Sequence, residues 1–489
     1  FVRDKAEDGA EGPWRPAAGT FDGWPKAAKD ITVLDPSMGS GHFLVFALPI
    51  LVAFRTAEEG LSERDAIGAV LRNNLFGLEI DPRCTQIAAF NLAFAAWKRT
   101  GFHALPQLNL ACSGLAIGVT KAEWLKLAEK AVTVADPAAK RDLLGVEQNL
   151  LTHGLEERVK NGLEALYDLF AKAPWLGSLI DPRRAGGDIF REGFDKLEPL
   201  LGSILAAADT DDTREMAVAA QGMAKAAKYL GHQFSLVITN VPYLGRGRQD
   251  DILRNHLDKF YRASKADLAT SFLERAMAFT RSAGTAALVT PQNWLFLGPY
   301  KSLRRTLLEN YRWDAISRLG TGAFETISGE VVNVALLVAS SVKAKRDHDI
   351  FGLDANKSRT IDEKANVLRS GTPLLAGQRL QLGNPDAMIR LDTASNVSGT
   401  LGDYVQSCAG VCTGDYPRFG RSFWEILSFS DKWSPQQTTN DRVGMSSGYS
   451  KALLWEGNDG SLRQYVTEKL GASAVGSWIR GKDAWGKAG

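Results

Sequence analysis

Two stretches of this chain repeat one pattern, an apolar strand, a tight turn and a helix. No other feature limits the possible fold as strongly. The first is "ITVLDPSMGSGHFLVFALPILVAFR" (31–55) and the second is "NNLFGLEIDPRCTQIAAFNLAFAAWKR" (73–99). A strand that passes into a helix and then into another strand must cross over, which makes neighbouring strands parallel. The alternation predicts an α/β layer with a mostly parallel sheet. It resumes with the strand "SLVITN" (235–240), a helix around "ATSFLERAMAFTRSAG" (269–284), the strand "TAALVT" (285–290) and a helix at 299–310. "GEVVNVALLVAS" (329–340) reads as a final buried strand or hairpin.

Between these halves the alternation stops. Leu155, Val159, Leu163, Leu166 and Phe170 recur at helical spacing, and "MAVAAQGMAKAAKYLG" is rich in alanine, so 120–230 reads as a helical insertion. Beyond about residue 345 the texture changes to loops, tryptophans and glycines. The expected plan is an irregular lead-in (1–30), a first half of the α/β domain (31–119), the insertion (120–230), a second half (231–345) and a further domain (346–489). A chain of 489 residues is too long for one ordinary core, in agreement with that plan.

Composition narrows the class. Hydrophobic residues make up 45% and charged residues 23%, the balance of a globular protein, and the net charge of +2 neither demands nor excludes a nucleic-acid partner. "FLVFALPILVAF" (43–54) is too short to span a bilayer, and no stretch resembles a secretory signal, so a cytoplasmic location without a membrane is expected. Cys408 and Cys412 lack a second Cys/His pair, so no metal site is expected. The chain opens on Phe1 and stops without a closing element, and both ends are expected to be cuts in a longer protein.

Chemistry is expected at the strand ends. After Asp35, a turn with Gly39 and Gly41 opens a helix, whose first N–H groups suit a carboxylate or phosphate. An ordinary βα turn has the same form. At the end of the next strand, Glu79 stands where an acid can accept ribose hydroxyls, while Asp81-Pro82 suits a helix start. No Walker Gly-Lys-Ser/Thr and no third glycine of a dinucleotide fingerprint occur, so an adenosine ligand with an amino-acid carboxylate fits better than ATP or NAD. The strand 235–240 runs into Asn240-Val241-Pro242-Tyr243, with Arg246 and Arg248 close behind. Asn and Pro also punctuate strands for local reasons.

"DPSMGSGHF", "GLEIDP" and "NVPY", in this order and each at a strand end, resemble the signature of N6-adenine DNA methyltransferases. The resemblance implies a Rossmann-like class I methyltransferase domain and S-adenosyl-L-methionine as cofactor. Asp35, Gly39 and Gly41 would line its methionine end and Glu79 would hold its ribose, with Pro36, Phe43 and Ile80 also among the cofactor-binding residues. Asn240, Val241, Pro242 and Tyr243 would match the Asn/Asp-Pro-Pro-Tyr loop, which holds a flipped adenine of double-stranded DNA, and Phe324 would stack on the opposite face of that base. Val241 departs from the family's proline. "NLACSGLAIG" (109–118) lacks the family's acid after the third strand, leaving Cys112 or Ser113 to face the site. The Tyr-Thr-Pro-type segment before the first strand is absent.

More narrowly, "VTPQNWLFLGPYKSLR" (289–304), "GVCTGDYPRF" (410–419), "FWEI" (423–426) and "RGKDAWGKAG" resemble the large adenine methyltransferases of BREX and DISARM phage-defence systems. That resemblance implies methylation that marks self DNA, partnership with other defence subunits, and a C-terminal mixed α/β target-recognition region. Three other readings share the fold: an RNA-adenine methyltransferase, a protein-glutamine methyltransferase, and a subunit that binds cofactor and DNA without turnover. Arg246 and Arg248 flank Gly247 beside the expected base-flipping loop and would hold backbone phosphates.

Overall fold

The computed structural model describes residues 2–5, 11–15, 23–125, 160–186, 211–324, 332–391, 404, 410–438, 448, 450–471 and 475–481. The chain divides into two compact units, Phe1–Thr393 and Ala394–Gly489. In the lead-in, β1 (Val2–Lys5) and β2 (Glu11–Arg15) form a short antiparallel pair.

The first unit is built on β3 (Val33–Asp35), β4 (Leu75–Glu79), β5 (Asn109–Cys112), β6 (Phe234–Asn240), β7 (Thr280–Pro291), β8 (Arg312–Gly320), β9 (Val334–Ser340), β10 (Asp349–Asp354) and β11 (Leu374–Gly377). These form one sheet in the order β11-β10-β8-β9-β7-β6-β3-β4-β5. From β5 to β7 every neighbour is parallel, as the alternation predicts. β9 enters antiparallel between β7 and β8, and β11 closes its edge antiparallel to β10. The order turns back between β3 and β6: β3 leads outward to β4 and β5, and the chain then crosses to the other side. Open α/β sheets bind ligands beyond the carboxyl ends of strands at such a switch point.

Successive strand residues point to opposite faces, so Val33 and Leu34 serve different cores. Val33, Leu75 and Leu110 pack under α1 (His42–Glu59), α2 (Glu63–Asn73) and α3 (Pro82–Thr100). Leu34, Leu78 and Ala111 pack on the other face, under Leu163, Leu166 and Phe170 and under Ala220, Met223 and Ala227 of α4 (Asp211–Gly231). The described part of the insertion is therefore a structural layer of the sheet, and α4 is the crossover into β6. Leu155 and Val159 lie outside the described residues.

Among the described residues, three helices complete the second half: α5 (Asp251–Phe260), α6 (Leu268–Phe279) and α7 (Lys301–Asn310). Residues past 345, read from texture as a separate domain, contribute β10 and β11 to the main sheet, and α8 (Ile361–Ser370) joins these two strands. The division between units falls after Thr393 instead.

In the second unit, β12 (Gly420–Ser422), β13 (Trp433–Gln436) and β14 (Lys451–Leu454) form an antiparallel sheet in the order β12-β14-β13. Phe419 and Leu453 pack there against Leu462 and Val466 of α9 (Ser461–Leu470). Among the described residues no helix is long and apolar enough to cross a membrane, and no group of three His, Cys, Asp or Glu is placed to hold a metal. Cys412 is exposed, and Cys408 lies outside the described residues.

Candidate active site

β3, β4 and β6 end side by side at the same edge of the sheet. Asp35 closes β3 with 1% of its surface exposed. Its Oδ1 accepts the Ser37 N–H at 3.1 Å. Burial pushes its carboxyl up to about 7; the nearby Thr239 hydroxyl and the Ser37 N–H temper that rise, and Glu79 adds to it. The Thr239 hydroxyl is itself buried and makes no full hydrogen bond. Pro36 is buried beside Asp35, and Phe43 is half-buried on the first turn of α1.

The turn that follows depends on glycine at two positions. Gly39 has φ +52 and nothing within 4 Å of a Cβ placed there, so its surroundings are open space. Gly41, with φ +83, packs against α3 so closely that a Cβ would stand 3.0 Å from that of Ala88. Gly41 caps α1 without a side-chain hydrogen bond, and the first turn of α1 holds no acid. The leading N–H groups of α1 therefore carry the positive end of the helix dipole with no acid of that first turn to meet it.

Glu79, 7% exposed, ties this turn to β4. Its Oε2 accepts the Gly39 N–H at 2.7 Å, and Oε1 accepts those of Ile80 (2.9 Å) and Asp81 (3.1 Å). Three of a carboxylate's roughly four acceptor positions are thus filled from the backbone. Asp81 caps α3 as its sequence suggests, accepting the Arg83 N–H at 2.8 Å, with Pro82 in the first turn. Ile80 is 41% exposed beside Glu79.

Cys112 and Ser113 do not open onto this space. Cys112 is buried with its thiol on the Ile80 carbonyl (3.4 Å), and burial raises its pKa. Ser113 is fully buried and its Oγ lies 3.3 Å from Ser178 Oγ.

At the end of β6, Asn240 is exposed, and its Oδ1 accepts from the Tyr243 hydroxyl at 3.5 Å. Burial pushes the half-buried Tyr243 up to about 12, so it stays a hydrogen-bond donor at neutral pH. Val241 is buried, and its N–H donates to the Val289 carbonyl at 3.3 Å, extending the β6–β7 ladder by one bond. Proline cannot make that bond, which gives a physical reason for valine here. Half-buried Pro242 follows, and Asp267, the N-cap of α6, accepts the Leu244 N–H at 3.3 Å.

Phe324 packs against a cluster of Leu319, Val334 and Ala355 at the same end of the sheet, as Val289 and Leu336 do. Val289 is the register partner of Asn240. The two arginines differ. Arg246 is held by Asp258 at 2.5 Å, an acid that also binds Lys265 at 2.9 Å, whereas Arg248 is exposed.

Sequence reading missed Asp267, Arg275 and the turn at 177–178. Asp267 carried a legible signal, an acid just before a helix. Arg275, next to Glu274 in an otherwise apolar helical stretch, carried a weaker one, since the same pattern suits an exposed charged position.

The Eco57I restriction-modification methylase model matches residues 73–324, from the end of α2 to Phe324. The chain is 27% identical over 434 residues to the adenine-specific methyltransferase PglX of Lacticaseibacillus casei (strain Zhang), covering 83% of this chain and 32% of that protein. It is 29% identical over 319 residues to the adenine-specific methyltransferase BrxX of Escherichia coli O9:H4 (strain HS), covering 63% and 25%. It spans about a third or less of these relatives' length. Among solved structures, the type IIL restriction-modification enzyme MmeI in complex with DNA aligns with a TM-score of 0.44 at 12% identity, covering 92% of this chain and 51% of that one. With the matched segment taking in just over half of its residues, this chain belongs to the Eco57I restriction-modification methylase family.

Proposed function

We propose that this chain carries the cofactor and catalytic halves of an enzyme that methylates adenine N6 in DNA, with S-adenosyl-L-methionine as methyl donor. The observation that carries this reading is the adjacency of an acid-and-glycine cradle and an exposed Asn-Val-Pro-Tyr loop. Leu34 pairs with Val237 across β3 and β6. By strand geometry the Cα atoms of Asp35 and Asn240 then lie about 8 Å apart. Family membership and the two adenine-specific relatives support the substrate class.

The cradle fits the cofactor. Gly39 leaves open space, the uncapped start of α1 suits a carboxylate, and the buried Asp35 suits the cationic amino and sulfonium end. Pro36 and Phe43 flank that end, and the acceptor position left on Glu79 suits a ribose hydroxyl, with Ile80 beside it. When bound, the cofactor supplies an electrophilic methyl group.

The chain's own residues do the rest. The exocyclic amine of adenine is a poor nucleophile because its lone pair is delocalised into the ring. The Asn240 side-chain oxygen and the Val241 carbonyl accept its two N–H bonds and favour a more tetrahedral nitrogen as it attacks. Positioning and charge stabilisation suffice without a strong base. The base must leave the duplex to reach this loop, and Tyr243 and Phe324 provide aromatic faces for it. Arg248 is the exposed cation suited to a backbone phosphate.

The second unit is read as the start of a target-recognition region. The resemblance to phage-defence methyltransferases supports a self-marking role in the cytoplasm, alongside other defence subunits. Incubation with labelled cofactor and unmethylated DNA, RNA or a glutamine-bearing protein separates the alternatives, and label is expected in DNA adenine alone. Asn240→Ala should abolish transfer and leave cofactor affinity within about twofold, since its bonds matter chiefly during transfer. Retained turnover in that variant would sink the mechanism.

A further inference from the structure

The segment between β5 and β6 returns to the carboxyl ends of β4 and β5 through a short turn, 173–180. Gly177, with φ +48, approaches Ile80 so closely that a Cβ there would stand 3.1 Å from Cδ1 of Ile80 and 3.2 Å from its Cβ and Cγ1. The buried Ser178 meets the buried Ser113 through their hydroxyls at 3.3 Å, and the Ser113 N–H donates to the Glu79 carbonyl at 2.7 Å. The turn is thus clamped to the strand ends that flank Ile80.

Arg275, fully buried on α6, grips the turn from the other side. Its Nε donates to the Ser178 carbonyl at 2.9 Å, and Nη2 donates to those of Ile180 (2.7 Å) and Leu230 (2.8 Å). Nη1 pairs with Asp181 at 3.1 Å. The planar guanidinium suits this work, because its fork satisfies several acceptors in one fixed geometry. At its start, α6 also fixes the Asn240 loop through Asp267 and the Leu244 N–H. One helix therefore holds both the loop after β6 and the turn behind Ile80.

We infer that the Gly177–Ser178 turn is the back wall of the adenosine end of the cofactor site. It fixes Ile80 so that its exposed flank meets the face of the adenine ring, and Arg275 is the positioning residue that sets the turn. This rests on the assignment of Glu79 and Ile80 to the cofactor proposed above. A branched side chain held on one flank by glycine backbone offers its other flank without further loss of rotamer freedom. Side chains at 177 would push Ile80 into the space the ring needs.

The test uses the protein with the variants Gly177→Ala, Ile80→Ala and the double variant. Cofactor affinity is read by calorimetry. Gly177→Ala should weaken S-adenosyl-L-methionine binding roughly fivefold or more, and in the Ile80→Ala background it should change affinity less than about twofold, because the two residues act as one unit. Ser178→Ala, which removes only the hydroxyl clamp, serves if alanine at 177 prevents folding. In turnover, Arg275→Lys should raise KM for the cofactor and leave kcat at saturation unchanged. Parental affinity in both Gly177→Ala and Ser178→Ala, or an undiminished effect without Ile80, overturns the inference and leaves the cofactor site standing. A parent protein that binds no cofactor overturns both.

Discussion

Asp35 shows most directly what burying a single acid costs a fold. Its ordinary carboxyl value is 3.8, and burial carries it to about 7 in the folded chain. Below pH 3.8 the acid is protonated in both states. Between the two values the unfolded chain releases the proton that the folded chain keeps, so stability falls as pH rises. Above about pH 7 the penalty levels off, on the order of 4 kcal/mol for a shift of this size. Asp35→Asn should therefore raise the melting temperature at pH 8 and have no such effect near pH 3; a lower melting temperature at pH 8 would contradict it. The same variant should lose cofactor affinity, and in the parent that affinity should weaken as pH drops below about 7, when the acid takes up its proton. Val241 makes the complementary point. Val241→Pro keeps the carbonyl acceptor and removes the N–H bonded to Val289. The expected result is a loss of about 1 kcal/mol in denaturant unfolding with methyl transfer preserved, and inactivity would locate the acceptor elsewhere.

Among the elements, the segment between β5 and β6 departs most from its sequence reading. It reads as an insertion because its helices interrupt the alternation, yet Leu163, Leu166 and Phe170 are fully buried in the same core as Leu34 and Leu78. Phe170→Ala should destabilise the unit by about 3 kcal/mol or more and shift its single unfolding transition. A detachable insertion would instead give a separate early transition and leave the main one in place. The loop after β6 shows a similar division of labour. Arg246 belongs to a half-exposed network with Asp258 and Lys265, where solvent screens such pairs and they add little. Arg248→Ala should account for most of the loss in DNA affinity and reduce the slope of log affinity against log salt by about one. Arg246→Ala should have the smaller effect on that slope, and equal effects would show that the ion pair yields to phosphate.

At the scale of the molecule, the main sheet draws on residues from 33 to 377, and a second unit begins at Ala394. A chain ending at Thr393 should unfold cooperatively and bind the cofactor as the longer chain does, while losing selectivity among DNA sequences. Loss of the cooperative transition would mean that the units fold only together. The strand ends Asp35, Glu79 and Asn240, the turn glycines 39 and 41 and the cap at Asp81 were all legible in the sequence. Each is a local event: an apolar run, then a residue whose backbone or side chain ends it, within about ten positions. The strands at 312–320, 349–354 and 374–377 escaped notice. What makes them strands is pairing with partners, such as that of Arg312 with Ser340 and of Phe351 with Ala315, and a short alternating run carries no mark of its neighbour. Burial was equally hidden. That Glu79 spends three acceptor positions on backbone, that Asp35 is cut off from water, and that Gly177 stands against Ile80 depend on groups far apart in the chain. Periodicity, turn chemistry and caps are written residue by residue, so the sequence determined the order of the parallel strands and helices and the strand ends at which the candidate site residues stand. Strand pairing, desolvation and close approach arise only when distant segments exclude water together, and the tertiary structure alone decided those.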